Sequence, residues 1–134
     1  VERMAILAAA PVRMANLEPD DTAAAGLLRL NRARSVAEAR EAAALITSPP
    51  QNLIVADRAG GIALFLTGRT PLRAEGHDGA LPWAGAGWQG FIPFDAMPHA
   101  ENPASGLLVN ANNRVQPEGH PAFLGRDWNG NWRF

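Results

Sequence analysis

Apolar residues between positions 19 and 50 recur at helical spacing and predict two helices. The first helix is preceded by Pro19, Asp20 and Asp21, a proline and two carboxylates that suit a helix N-terminus. The Ala/Leu run that follows ends near Leu30. We therefore expect a helix between these acidic residues and Leu30.

The second predicted helix begins after Ser35, which stands three residues before Glu38 as in a capping box. Arg40 and Glu41 fall on its solvent side, and Pro49 with Pro50 should end it. The apolar face of this helix consists of Val36, Ala39, Ala43 and Ile46.

Two short apolar runs at residues 52–56 (N-L-I-V-A) and 61–67 (G-I-A-L-F-L-T) are typical of β-strands. The residues D-R-A-G lie between them, and Gly60 can take a positive φ there, so we predict a hairpin. Asp57 should accept hydrogen bonds from the backbone of this turn. Because nearly every residue of both runs is apolar, we expect both faces of the hairpin to be buried.

Residues 68–105 show neither helical nor strand periodicity and predict a long loop. Large aromatic side chains should hold such a loop against other structure, and Arg73 should satisfy backbone groups of a turn. A third strand is predicted at residues 106–110 (G-L-L-V-N), before A-N-N-R and a Trp-rich tail at 127–134. The predicted aromatic anchors are Trp83, Trp88, Phe91 and Phe94.

Two helices, three short strands and a long loop predict an α/β (α+β layered) chain whose sheet keeps open edges. We expect one fragment of a larger domain, mainly helical over residues 1–50, with the hairpin, loop, third strand and tail over 51–134. The chain opens on Val1 rather than a methionine, which we interpret as an internal or processed segment. Its uncovered strand faces should make it self-associate or borrow a strand.

Composition excludes several functional classes. The 134 residues carry 12 basic and 13 acidic side chains, a balance that gives no electrostatic surface for nucleic acid or an anionic membrane. Without cysteine, disulfides, thiolate metal sites and thiol nucleophiles are excluded. The apolar stretch at residues 4–12 is broken by Pro11 and is too short to span a bilayer.

Two clusters of polar residues offer rival interpretations. Three loop histidines with nearby carboxylates could bind a metal, but their spacing matches no zinc pattern, so we interpret them as solvated and assign no metal site. Four arginines could form a nucleic-acid patch, but Glu38 and Glu41 interrupt it, and a solvated helix face is favoured. The first cluster comprises His77, His99 and His120 with Asp78, Glu101 and Glu118. The second comprises Arg29, Arg32, Arg34 and Arg40.

A series of short segments carries a family resemblance. The segments are N-L-I-V-A-D-R-A-G-G-I (52–62), T-G-R-T-P-L-R (67–73), G-H-D-G-A-L-P (76–82), G-W-Q-G-F-I-P-F-D-A-M-P (87–98), N-P-A-S-G (102–106) and N-A-N-N-R (110–114). In this order they resemble the β-chain of the penicillin acylase family, N-terminal-nucleophile amidohydrolases. The helical stretch at residues 19–44 is similar to the helices that precede the hairpin in that family.

This resemblance implies a four-layer αββα sandwich in which precursor cleavage exposes an N-terminal serine on the β-chain. The serine hydroxyl attacks an amide carbonyl, with the serine's own α-amine as base. The family's substrates are acyl amides: β-lactams with apolar side chains, cephalosporin side chains or N-acyl homoserine lactones. The chain would then be part of an amidohydrolase, and Trp83, Trp88 and Phe94 either line an acyl pocket or, as we favour, pin the loop.

The resemblance assigns Asn112 to the oxyanion hole, because the family places the second Asn of its N-x-N-N run there. A carboxamide is neutral and always donates, so it can meet the charge that develops on the attacked carbonyl oxygen. The alternative is that Asn110, Asn112 and Asn113 are turn residues that favour left-handed backbone after a strand.

The tail W-N-G-N-W-R-F resembles the family's W-x-x-G-Y-R run, whose arginine lies beside the active site. Arg133 is therefore a second candidate, a fixed cation that would orient the nucleophile's amine and neighbouring carbonyls. The alternative places Arg133 on the face of Trp132 or Trp128 at the chain end.

The chain departs from the family pattern because no serine stands at its N-terminus. Ser35 is a cap, Ser48 precedes a proline pair and Ser105 lies in a loop, so we expect the fragment alone to be inactive. The nucleophile, the rest of the β-chain and the α-chain would be its partners, with an acyl amide as substrate. An alternative is a non-catalytic binding or assembly module on an acylase scaffold.

No cofactor is expected in the chain. Many relatives hold calcium, but most of its ligands would come from other segments of a full-length parent. The family resemblance alone implies a periplasmic or secreted protein.

Overall fold

A computed structural model describes residues 14–74 and 88–125. Several residues that the sequence singled out lie outside these ranges. They are His77, Asp78, Trp83, Trp128, Trp132 and Arg133. Within the described ranges, no helix is long and apolar enough to cross a membrane.

Two helices form where the helical periodicity predicted them. Helix α1 spans Ala23–Leu30, and the Asp21 carboxylate accepts a hydrogen bond of 2.9 Å from the backbone N–H of Ala23. Helix α2 spans Val36–Ala43, and the Ser35 hydroxyl accepts from the N–H of Glu38 at 3.2 Å. The Glu38 carboxylate accepts from the N–H of Arg34 at 2.6 Å, one residue before the position that a capping box uses. Both helix starts are thus satisfied by the predicted side chains.

The end of α2 differs from the prediction that Pro49 and Pro50 terminate it. The helix ends at Ala43, and Ile46 lies beyond it, although Ile46 remains buried. The reason is pairing with the distant part of the chain: the Ile46 carbonyl accepts from the N–H of Gly68 at 2.8 Å, and the Thr47 carbonyl accepts from Arg69 at 2.9 Å. These bonds attach residues 46 and 47 to the segment that follows β2, so the chain has left the helix before it reaches the prolines.

The predicted hairpin is present. Strand β1 spans Gln51–Ala56 and strand β2 spans Ile62–Thr67, paired antiparallel with Leu53 opposite Phe65. Gly60 has φ +89°, as the turn requires. Two 3₁₀ turns, Ala15–Leu17 and Phe94–Ala96, complete the regular structure outside the sheet.

The third strand lies elsewhere than predicted. Strand β3 spans His99–Glu101, inside the expected loop, and pairs antiparallel with β2 to give the sheet order β1-β2-β3. Residues 106–110 form no strand, and Leu107 and Val109 are 65% and 55% exposed. Asn102 explains the difference, because it makes paired bonds to Ile62 and then turns the chain away at φ 44°.

The expectation that both faces of the hairpin are buried holds for β2 but is wrong for β1. Helix α2 covers one face, where Val36, Ala63 and Phe65 form the core with Leu53 and Val55 packed against it. Side chains alternate between the two faces of a strand, so Asn52 and Ile54 point to the opposite face. Ile54 is 48% exposed there. The helix layer therefore covers only one side of this sheet.

Arg40 does not simply face solvent as predicted. Its guanidinium donates to Asp95 at 2.7 Å and also to Glu101, and it lies about 6.0 Å from the ring centroid of Phe65. Phe94 packs on Phe65 with centroids 6.1 Å apart. The helical period correctly placed Arg40 on a polar side of α2, but residues 94–101 fold back onto that side.

Candidate active site

The asparagines at 110–113 form a tight turn held by their own side chains. Asn112 has φ 60°, and its backbone N–H donates to the Asn110 Oδ1 at 3.3 Å. The Asn113 Oδ1 accepts from the backbone N–H of Ala111 at 3.1 Å. Asparagine tolerates left-handed backbone because its short polar side chain bonds locally. The turn that the alternative interpretation predicted is therefore present.

This turn leaves the Asn112 side chain exposed. The two flanking asparagines use their oxygens on the backbone, while Asn112 supplies the left-handed residue. An exposed carboxamide on such a turn can present an N–H donor to a group approaching from outside the described residues. The turn conformation and an oxyanion role are compatible, and the oxyanion role stays a prediction.

A side chain from the hairpin supports the same turn. The Asn52 Nδ2 on β1 donates to the Asn110 Oδ1 at 3.3 Å, across 58 positions of sequence. Since Asn52 points away from α2, the turn lies on the side of the sheet that the helices leave uncovered. Sequence reasoning missed this contact, although both residues lie in the segments that carry the family resemblance.

Asn102 joins the segment that leads to the asparagine turn to the first residue of β2. Its N–H donates to the Ile62 carbonyl at 2.9 Å, and its Oδ1 accepts from the Ile62 N–H at 2.9 Å. These two bonds attach the start of the N-P-A-S-G segment to the first residue of β2. The path from β3 to Asn110 thus begins at a defined point of the sheet.

Asp57 confirms its predicted role in the hairpin turn. One carboxylate oxygen accepts from the N–H groups of Ala59 and Gly61, both at 2.9 Å, and the other accepts from Val36 at 3.1 Å. The hydrogen bonds from Gly61 and Val36 lower the pKa of Asp57 from its ordinary 3.8. Asp57 therefore joins the hairpin turn to the first residue of α2.

The histidine cluster is not assembled in the described part of the chain. His99 begins β3 rather than lying in a loop, and its Nδ1 is 2.9 Å from the Met97 carbonyl oxygen. The Nδ1 of His120 accepts from the N–H of Ala122 at 3.2 Å. Across residues 14–74 and 88–125, no group of three or more His, Asp or Glu side chains could hold a metal ion.

The arginine cluster divides into two environments. Arg29 pairs with Glu41 on the surface, with 53% of the arginine side chain exposed, which fits a solvated helix face. Arg40 is 31% exposed and is held by Asp95 and Glu101, so it does not belong to that face.

The aromatic anchors fit the packing interpretation where the structure describes them. Trp88 meets Phe91 edge to face at 5.8 Å, and the Arg69 guanidinium lies 5.3 Å from the Phe91 centroid. Phe94 packs against the core. These contacts hold the described ends of the predicted loop; Trp83 lies outside the described residues.

A groove of about 1010 Å³ runs between the start of α2 and β1. Its lining mixes polar and apolar surface and includes Leu30, Val36, Leu53 and Val55 together with Asp57. None of the asparagines of the turn lines this groove. It therefore belongs to the helix–sheet packing rather than to the candidate site.

Comparison with known proteins identifies the class. The family model described as penicillin amidase matches residues 3–134. The chain belongs to the penicillin amidase family, and its two helices and antiparallel sheet match the fold of penicillin acylase.

Individual relatives carry two kinds of acylase name. The chain is 38% identical over 105 residues to "Penicillin acylase 2 proenzyme" of Pseudomonas sp. (strain SE83), covering 75% of this chain and 13% of the relative. It is 37% identical over 113 residues to "Acyl-homoserine lactone acylase QuiP" of Pseudomonas fluorescens (strain Pf0-1), covering 81% of this chain and 14% of the relative. The chain thus spans less than a sixth of the length of these relatives.

A solved structure shows the same arrangement in space. The thermostable penicillin G acylase of Alcaligenes faecalis superposes with a TM-score of 0.70 at 26% sequence identity. The match covers 83% of this chain and 20% of that one. The described elements are therefore one section of a larger acylase fold.

Proposed function

We propose that this chain forms a section of an amidohydrolase that cleaves the acyl amide bond of β-lactam antibiotics or of N-acyl homoserine lactones. The observation that carries the proposal is the exposed Asn112 on its left-handed turn, within a chain of the penicillin amidase family. In this role the Asn112 carboxamide donates to the oxyanion of the attacked carbonyl.

Physical chemistry supports a carboxamide in this position. The carbonyl oxygen gains negative charge as the nucleophile adds, so a preorganised donor stabilises the transition state more than the substrate. Asparagine donates without changing protonation state at any pH at which the enzyme works. The hydrogen bonds of Asn110 and Asn113 within the turn restrain the backbone that carries the donor, and a preorganised donor needs less reorganisation during the reaction.

The two relatives' names favour one chemical class of substrate. One is named a penicillin acylase and the other an acyl-homoserine lactone acylase, so both names describe an enzyme that acts on an acyl group. We propose the same class here, a small acyl amide.

The remaining parts of the proposed enzyme come from polypeptide beyond this chain. An N-terminal serine nucleophile, the other β-chain segments and an α-chain would act with it, and the chain alone would be inactive. The uncovered sheet face at Ile54 and the small fraction of the relatives that the chain spans support this division. Arg133 beside the site, calcium in the full-length parent and export to the periplasm or outside the cell belong to the same proposal.

The test is substitution of Asn112 in the full-length protein, assayed on a phenylacetyl amide and on an N-acyl homoserine lactone. Asn112→Ala should lower kcat by about 10²–10³, with near-normal folding. Asn112→Asp separates the two interpretations, because aspartate also tolerates left-handed backbone but presents a negatively charged acceptor to the oxyanion. We expect Asn112→Asp to lose at least as much activity as Asn112→Ala.

Gln51→Glu is the matched control, since it makes the same amide-to-acid change at an exposed residue of β1. Normal turnover in Asn112→Asp would show that the residue serves only the turn. If the unaltered full-length protein hydrolyses neither substrate, the amidohydrolase proposal fails and the non-catalytic module takes its place.

A further inference from the structure

Two carboxamides far apart in sequence meet beneath the candidate site. The Asn110 Oδ1 accepts two hydrogen bonds, one from the Nδ2 of Asn52 and one from the backbone N–H of Asn112, both 3.3 Å long. A single oxygen therefore connects β1 to the residue that presents the candidate oxyanion donor.

The orientation of the Asn110 amide is set by these two donors. Turning the amide over would place its Nδ2 against the Nδ2 of Asn52 and the N–H of Asn112, leaving donors facing donors. Only the observed orientation satisfies both. Asn52 thus influences which atom of Asn110 faces the turn, and it acts on Asn112 only through Asn110.

Within the described residues, each amide of the pair uses only one of its two polar atoms in a hydrogen bond. Among the described residues, the Oδ1 of Asn52 and the Nδ2 of Asn110 are buried and have no hydrogen-bond partner. Leaving such atoms unsatisfied destabilises the folded state, whereas two aliphatic side chains would fill the same place without that penalty.

We infer that Asn52 is a positioning residue for the reaction: through Asn110 it holds the Asn112 turn so that the Asn112 carboxamide keeps its catalytic orientation. The inference rests on the proposed function, because it takes Asn112 as the oxyanion donor. Asn52 contacts no substrate in this scheme. It acts by keeping the Asn110 oxygen available to the backbone N–H of Asn112.

The decisive variant is Asn52→Asp in the full-length protein. Aspartate has the same shape but lacks the N–H donor, so its carboxylate should attract the Nδ2 of Asn110 and turn that amide over. The Asn112 N–H then loses its acceptor. We expect its hydrogen exchange to become faster, and kcat on the acyl amide to fall about tenfold or more, because small misplacements of a positioned group are costly. KM should change less than kcat, since ground-state binding is not the function of the turn.

Gln51→Glu is again the control: it adds the same charge at the neighbouring, exposed position of the same strand and should change neither measurement. Asn110→Asp supplies a second test by exchange alone. Its carboxylate can still accept from both donors, so the Asn112 N–H should stay as protected as in the unaltered protein.

The outcomes separate this inference from the proposed function. Faster exchange at Asn112 together with reduced kcat in Asn52→Asp supports the inference. Unchanged exchange, or faster exchange with unchanged kcat, overturns it. If the unaltered protein hydrolyses no acyl amide, the proposed function fails, and the exchange measurement still decides whether Asn52 holds the turn.

Discussion

Replacing Gly68 by alanine tests how closely the chain passes itself at the end of the hairpin. Gly68 has φ +91°, and a Cβ there would lie 2.4 Å from the Cα and 2.7 Å from the N of Pro50. Both of those atoms are backbone, so no side-chain rotation relieves the overlap. The N–H of Gly68 is also bound to the Ile46 carbonyl at 2.8 Å, which prevents the segment from simply moving away.

Two effects add in Gly68→Ala. An L-residue at this φ costs about 1–2 kcal/mol, and pushing packed backbone apart costs about 1–3 kcal/mol more. We therefore expect Gly68→Ala to lower the free energy of unfolding by about 2–5 kcal/mol. Gly60 is the matched control, because its φ is +89° and a Cβ there meets nothing within 4 Å. Gly60→Ala should lose only the conformational part, about 1–2 kcal/mol.

The assay is urea unfolding of the two variants and the unaltered chain, followed by far-ultraviolet circular dichroism at one protein concentration. The difference in unfolding free energy between the two alanine variants isolates the contact with Pro50. Losses that agree within about 0.5 kcal/mol would refute the close approach as the reason for glycine at position 68.

Two further predictions concern charged side chains. Arg40→Met should keep the packing on Phe65 but lose both carboxylate partners, which lowers the free energy of unfolding by about 1 kcal/mol, and this loss should shrink in high salt. Arg29→Met is the control, because its single ion pair is well exposed and its loss should change the free energy of unfolding little. Equal losses in the two variants would contradict the argument. Asp57→Asn should destabilise the chain at neutral pH, because the amide would direct a donor at the N–H of Val36. The pKa of Asp57 is lowered in the fold, so its stabilisation is present above the ordinary value near 3.8 and is lost as pH falls through the lower folded-state value. Urea unfolding at neutral and strongly acidic pH should show the gap between the Asp57→Asn variant and the unaltered chain narrowing in acid, and a gap independent of pH would contradict this.

Local signals predicted the elements that depend on residues close together in sequence. Ser35 caps α2 through the N–H of Glu38, and Gly60 takes the positive φ of the hairpin turn. Asp57 satisfies the turn as expected. In each case the side chain and the backbone group it serves lie within a few positions, so the physics is contained in the local sequence.

The position of the third strand could not be predicted from local signals. Residues 106–110 are more apolar than His99–Glu101, yet it is His99–Glu101 that forms a strand beside β2. Only one segment can occupy that edge, and Asn102 decides the outcome by binding Ile62 and reversing the chain beyond it. Strand propensity takes no account of two segments that compete for the same edge of β2, because β2 lies far from both of them in sequence.

The candidate site divides in the same way. The sequence by itself showed the N-A-N-N run and indicated that its asparagines favour a left-handed turn; the oxyanion role of the Asn112 carboxamide, which rests on the family resemblance, stays a prediction. Tertiary structure alone brought Asn52 of β1 to Asn110 across 58 positions. Outside the candidate site, it likewise placed Arg40 against Asp95 and Glu101. Backbone preferences and caps are encoded by neighbours within one or two turns, whereas contacts between distant side chains exist only after the helices and strands have packed.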